Sequence, residues 1–499
     1  MKSRILTCFT AITLFAALAI PLRLDAQDNQ NDNHKHHHYK LIDLGTLGGP
    51  QSFGGGLNNQ GTASGSADTT TPDPFYPNAN PLINVWGPDP FVYHAFETKN
   101  GALVDLGALP GANSSVTSAP TANGLSAGAS IVGTIDPLTG WPEENAVLWK
   151  DGQIFNLGTL GGYESAAFSV NSRGQVAGFS GNSIPDPYSF LGLGTETRAF
   201  RWQNGQMQDL GTLGGPDAFG GIVNERGQIV GLSYTNSTVN PVTGLPTTHP
   251  FLWDPKTKKM QDLGTLGGTF GETLTINNRG QVVGDSNLAG DLTFHPFLWD
   301  PKTKKMQDLG TFGGGKGIAQ GINEAGEPVG WATYPGDQVY RAFLWRHGRL
   351  IDLGVEGGAG NSFTGSINSS SQVVGQMFPA GLNGDRAFLW ENGQIIDLNV
   401  FVPPDSDLTL RDAQVINDRG EISGEATLPN GDGRAFLLIP CDEHHQGVEG
   451  CDYSMVDDST AKSRPSPVVR EVFSGTQRLS PPSRTNRFRF PGHATGPTN

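Results

Sequence analysis

The 499-residue sequence holds 69 glycines and 34 prolines against only 16% charged residues, which excludes a protein of long helices and implies short strands joined by many tight turns. Its formal net charge is −15, but the charge is uneven: residues 27–461 carry −23 and residues 462–499 carry +6. So acidic a body repels nucleic acid and anionic membranes, both of which are bound through cationic patches.

Lys2 and Arg4 precede an apolar stretch from Ile5 to about Pro21, and Ala26 offers a cleavage position, so residues 1–26 read as a secretory signal. Cys8 lies inside the start of that stretch, which argues against a lipoprotein. No later segment is apolar enough to span a membrane, so the mature chain is expected to be secreted or periplasmic. Residues 27–38 form a polar leader with His34, His36, His37 and His38. A flexible His tract holds metal weakly until a fold fixes its geometry, and neither a metal nor a cofactor is assigned.

From Asp43 onward one phrase recurs: Asp-Leu-Gly-Thr-Leu-Gly-Gly, with variants starting at Asp105, Asn156, Asp209, Asp262, Asp308, Asp352 and Asp397. The eight starts are 62, 51, 53, 53, 46, 44 and 45 residues apart. Three further segments lie between them in fixed order. The first ends in Asn and a reverse turn, as in Ile276-Asn277-Asn278-Arg279-Gly280. The second is β-branched, as in Gln281-Val282-Val283-Gly284, and the third is the Ala-Phe-Leu-Trp type, as at Ala342–Trp345. Each is short, apolar and bounded by Gly, Asn or Asp, so each reads as a strand of an antiparallel meander. We letter them a, b and c, with d leading into the Asp-Leu-Gly phrase.

Four strands per 45–50 residues is the size of one propeller blade. The ends support closure. The repeats open on a lone strand d, Tyr39 to Leu44, and finish with a, b and c alone over Leu408 to Pro440. Pairing the two ends completes one blade and leaves no long free edge. The expected fold is therefore all-β, an eight-bladed propeller over residues 39–440, closed by the N-terminal strand against the last three strands.

The phrases His94-Ala95-Phe96, His249-Pro250-Phe251-Leu252-Trp253 and Arg386-Ala387-Phe388-Leu389-Trp390, with the Ile-Asn-x-x-Gly turns between them, resemble the HAF family of extracellular repeat proteins over residues 39–440. Repeat 2 lacks the Phe and repeat 8 has Leu438 in place of Trp. The resemblance implies secretion and no activity.

Some features imitate chemistry. Gly124-Leu125-Ser126-Ala127-Gly128 matches a nucleophile elbow on paper, but it falls just after Asn123 in an a–b hairpin, not at a strand-to-helix turn. Each repeated Asp reads as an acceptor for backbone N–H groups in the turn into the next blade, and each repeated Trp as packing between blades. Beyond the last strand, Cys441 and Cys451 are an even pair in an exported chain and favour a disulfide closing a loop over residues 441–455. Residues 456–499 read as a disordered basic tail.

In a meander the b–c loops and d–a crossovers emerge on one face and the two hairpin types on the other. The b–c connections are long only in repeats 1 to 4, at about 67–92, 135–145, 181–197 and 235–247. These carry aromatics and acids, of which Tyr76, Trp86, Phe91, Trp141, Tyr188, Asp89, Asp136, Glu143 and Asp186 are the candidate ligand residues. Insertions on one face of a symmetric scaffold are where an asymmetric site arises. The expected function is a monomeric, non-catalytic binding or scaffold module for an extracellular carbohydrate or protein. The alternative is a polysaccharide hydrolase or lyase using carboxylates of the inserted loops. No catalytic residue is assigned.

Overall fold

A computed structural model of the chain describes residues 35–83, 88–99, 101–382 and 384–457; residues 1–26, read above as a signal, and residues 458–499 lie outside them. The described chain forms eight four-stranded antiparallel units in the order a-b-c-d, those of repeats 4 and 5 joined into one sheet by a parallel bridge between Thr248 and Phe270. In the first, Gly48–Leu57, Ala63–Pro72, Phe91–Lys99 and Ala102–Gly107 take the four places. In the eighth, Thr409–Ile416, Ile422–Thr427 and Gly433–Pro440 are completed by Tyr39–Asp43. Tyr39 stands opposite Pro440 and Asp43 opposite Phe436, so the first strand closes the ring against the last strand c.

The repeated residues explain why the sheets form and how they join. Strand b carries a glycine in every repeat because a side chain there would strike strand a. A Cβ at Gly65, Gly231 or Gly375 would overlap the carbonyl oxygen of Phe53, Phe219 or Phe363, beside a register irregularity in strand a.

The Asn of each a–b turn does more than shape its own hairpin. Its Oδ1 accepts from the backbone two and four residues on, as from Arg173 and Gln175 onto Asn171. Its Nδ2 donates across to the next blade. Asn171, Asn224, Asn277, Asn323, Asn368 and Asn417 each reach the carbonyl of the following Asn at 2.9–3.2 Å, with Asn417 reaching Asn58. Asn58 reaches Thr121, and Asn123 carries the chain of bonds to Ser172. In repeat 2, therefore, Thr121 holds the position of the repeated Asn, and Asn123 is displaced by two residues.

The Asp of Asp-Leu-Gly accepts from the Gly amide two residues on at 2.6–2.8 Å. It also meets the residue that opens the Ala-Phe phrase of its own blade. His94, His249 and His295 lie 2.9–3.0 Å from Asp105, Asp262 and Asp308, and Arg386 lies 2.9 Å from the buried Asp397. Trp149 packs between blades 1 and 2 with Ala95 and Leu109, its Nε1 donating to the Leu106 carbonyl. Ser126 is buried within a strand and donates to Glu97.

The hairpin face is less plain than eight repeated hairpins imply. Cys441 and Cys451 are bonded, and within their loop His445 is buried between Asp442 and Glu421. The leader joins this appendage: Lys35–His37 pairs with Met455–Asp457. Buried His36 sits 2.6 Å from Glu391. Burial raises the Glu391 carboxyl, but the bonds from His36 and Gln372 outweigh it and hold the group below the usual range. The leader and the segment after the disulfide are thus partly strand, because each supplies the other with a partner far away in sequence.

Candidate binding face

The four long b–c connections are shorter as loops than their sequence extent suggests. The flanking strands run on and pair past an irregularity, placing Pro72 opposite Phe91, Ile135 opposite Pro142, Pro185 opposite Thr195 and Val239 opposite Pro246. What remains as loop is 73–90, 136–141, 186–194 and 240–245.

Their apolar residues build a second core above the blades. Ile83, Phe190, Leu191 and Leu193 are buried with Phe179, Leu232 and Tyr234 of the strands. Phe75, Trp141 and Leu245 pack against the same cluster. The loops are also fastened to one another. Asn78 donates to the Gly140 carbonyl and Asn80 to the Pro142 carbonyl, both at 2.9 Å, and Asn240 bonds Thr269 and Asp291.

The candidate residues therefore divide. Trp141 and Phe91 are half-buried, and Trp141 anchors its loop. Tyr76 and Tyr188 are 53% and 77% exposed at loop tips. Trp86 lies outside the described residues. Each candidate acid has a local bond: Asp89 accepts from the Phe91 amide, Asp136 from Leu138 and Thr139, Asp186 from Tyr188, and Glu143 from Thr134. Asp73 caps Phe75 in the same way. A short acid two residues before an amide favours this turn, which is why Asp recurs at the loop entries.

Beneath the loops lies a set of buried carboxyls not singled out from sequence. Glu164 accepts from the Glu144 amide at 2.9 Å and from Asn80 at 3.0 Å. Burial first, then the field of Glu164, pushes Glu144 well above the usual carboxylate range, and burial, helped by Asp136 and Glu143, raises Glu164 to about 8 against the bonds from the Glu144 amide and Asn80. Asp217 accepts from the amides of Thr197 and Phe190, and burial pushes it up to about 7. Asp68 is likewise raised to about 7 by burial and then by Asp89. Strand position was the available signal. Glu164 and Asp217 stand at the same place at the start of successive a strands, Asp217 just before its own, where Ser114 and Asn361 also accept the strand c amide of the preceding blade.

Among the described residues the loops enclose a small cavity lined by Asp73, Phe75, Asn80 and Tyr93 among others, with room for about one water. No cluster of three metal-ligating side chains occurs among the described residues, and no helix among them is long and apolar enough to cross a membrane. Two properties mark the face. Exposed apolar tips run round it, with Leu138 at 55%, Val242 at 58% and Leu292 at 82% beside the two tyrosines. Charge is also polarised across the disc. Dividing residues 35–457 by face and setting the buried residues aside leaves 19 Asp or Glu (28 less nine) against four Lys or Arg (six less two) on the insertion side, while the hairpin side as a whole has 15 against 17.

No family model matches the sequence, and no curated protein matches it. Among solved structures the chain is similar to the β-propeller domain of the Trilobed protease from Pyrococcus furiosus, at 10% identity over 70% of this chain and 98% of that one, with a TM-score of 0.41. It is similar to the Dos1 propeller at 12% identity over 80% and 95%, TM-score 0.36. A prolyl endopeptidase is matched at 9% identity, TM-score 0.44, over 82% of this chain and 56% of the endopeptidase.

Proposed function

We propose that the chain is an exported member of the HAF repeat family that acts as a non-catalytic binding module, with its ligand on the insertion face. The polarised charge of that face, together with its exposed apolar tips, carries the reading. Both favour a cationic peptide or protein over a neutral sugar, because electrostatic complementarity steers and orients charged partners. Exposed Tyr and Leu supply contact area where carboxylates alone would only attract.

The hydrolase reading is less well supported. It needs two carboxyls facing a substrate across a shared cleft, whereas Glu144 and Glu164 are sealed in the interior and the loop acids cap their own turns. The test is a printed array of basic peptides, acidic peptides and glycans probed with the full chain and with a Tyr76→Ser/Leu138→Ser/Tyr188→Ser variant. Binding to basic peptides that the triple variant loses at least tenfold supports the proposal. Glycan binding untouched by the variant, or turnover of a polysaccharide panel, overturns it.

A further inference from the structure

Resting on that reading, we propose that the insertion face is a docking surface for the chain's own C-terminal segment, residues 462–499. The segment carries seven Lys or Arg and one acid, Glu471, and its basic residues alternate with aromatics at Arg487-Phe488-Arg489-Phe490. That is the chemical complement of a face with 19 unburied acids against four unburied bases and exposed tyrosines and leucines between them. Arg over an exposed Tyr gains a cation–π contact as well as the charge attraction, while Phe finds the apolar tips.

The geometry allows it. The described chain ends at Asp457, paired with Lys35 on the hairpin side of the disc. The hairpin side has 15 acids against 17 bases and offers the segment no net attraction. Forty-two residues follow Asp457, with an extended reach of about 140 Å. A ten-residue strand such as Ala63–Pro72, which sets the thickness of the disc, is about 33 Å long. The segment can therefore pass the rim of its own propeller or reach a second copy.

The test uses a synthetic peptide of residues 462–499 as the probe and the full chain in three forms. The first is the native chain. The second is a neutral-tail chain with Lys462 and the six tail arginines changed to Gln. The third adds Glu143→Gln, Asp405→Asn and Asp407→Asn on the insertion face. A control adds Asp151→Asn, Glu443→Gln and Glu449→Gln on the hairpin side to the neutral-tail chain instead. The peptide should bind the neutral-tail chain, bind the native chain at least tenfold more weakly because its own tail competes, and lose at least fivefold on the insertion-face variant but not on the control. Binding should also weaken as salt rises.

No binding to the neutral-tail chain, equal binding to the native and neutral-tail chains, or equal loss on the control would overturn the tail assignment. Array binding retained by the neutral-tail chain in that event would leave the proposed function standing. Native chains that self-associate while neutral-tail chains stay monomeric would place the docking between copies.

Discussion

Asp217→Asn probes the buried carboxyls that fasten the inserted loops to the blades. Asp217 is 1% exposed; its two oxygens accept from Thr197 and Phe190, tying strand c and the inserted loop of repeat 3 to strand a of repeat 4. Burial is the largest influence on it, opposed by those two amides; Asp186 raises it further and Arg198 lowers it. The buried Tyr234 phenol also lies within its field.

Because the folded group is raised from 3.8 to about 7, its contribution is fully present below the unfolded pKa and is lost as pH climbs through 7. At about 1.4 kcal/mol per unit, the stability lost relative to pH below 3.8 is about 1.5 kcal/mol at pH 5 and about 4.5 kcal/mol at pH 8. Asn cannot ionise but has one acceptor where the carboxyl has two, so the variant should be less stable by about 1–3 kcal/mol at pH 5. That deficit should shrink by about 3 kcal/mol by pH 8, bringing the variant level with the native chain or above it. Denaturant unfolding followed by tryptophan fluorescence at pH 5, 6, 7 and 8 reads this directly. Parallel pH profiles for the two proteins would refute the argument that Asp217 is held neutral by burial.

Gly231→Ala should destabilise the propeller by about 2–4 kcal/mol, since the added methyl meets the Phe219 carbonyl in a packed ladder; an unchanged melting temperature would show that the strand a irregularity can relax. Cys441→Ser with Cys451→Ser should cost about 3 kcal/mol for a loop of this length. The loss should be local, read as faster hydrogen exchange in 441–457 and 35–38 with the ring unaffected.

Much of the ring was legible because its evidence repeats. The lone strand at Tyr39–Leu44 and the unfinished last repeat announced their own pairing, and Cys441 and Cys451 had each other for partners. The Asn-x-x-Gly turn was legible as a hairpin, whereas the bond from each Asn to the next blade was not, because it joins residues 45–53 positions apart, or 359 at the closure. The glycine of strand b was visible but unexplained until strand a was seen against it.

The loop acids illustrate the limit for the site. Asp136 and Asp186 have the composition of a binding or catalytic pair in sequence, and only coordinates reveal that each caps its own turn. Trp141 likewise looks like a ligand aromatic until it is found packed against a core. Pairing of His36–His37 with Met455–Val456 had no local signal at all.

The central claim is that binding belongs to the insertion face. Hydrogen–deuterium exchange of the full chain, with and without the strongest basic peptide from the array, tests it most directly. Protection is predicted in 73–90, 136–141, 186–194 and 240–245, with the turns at 224–227 and 277–280 unchanged. Protection confined to those turns or to the Cys441–Cys451 loop would contradict the account.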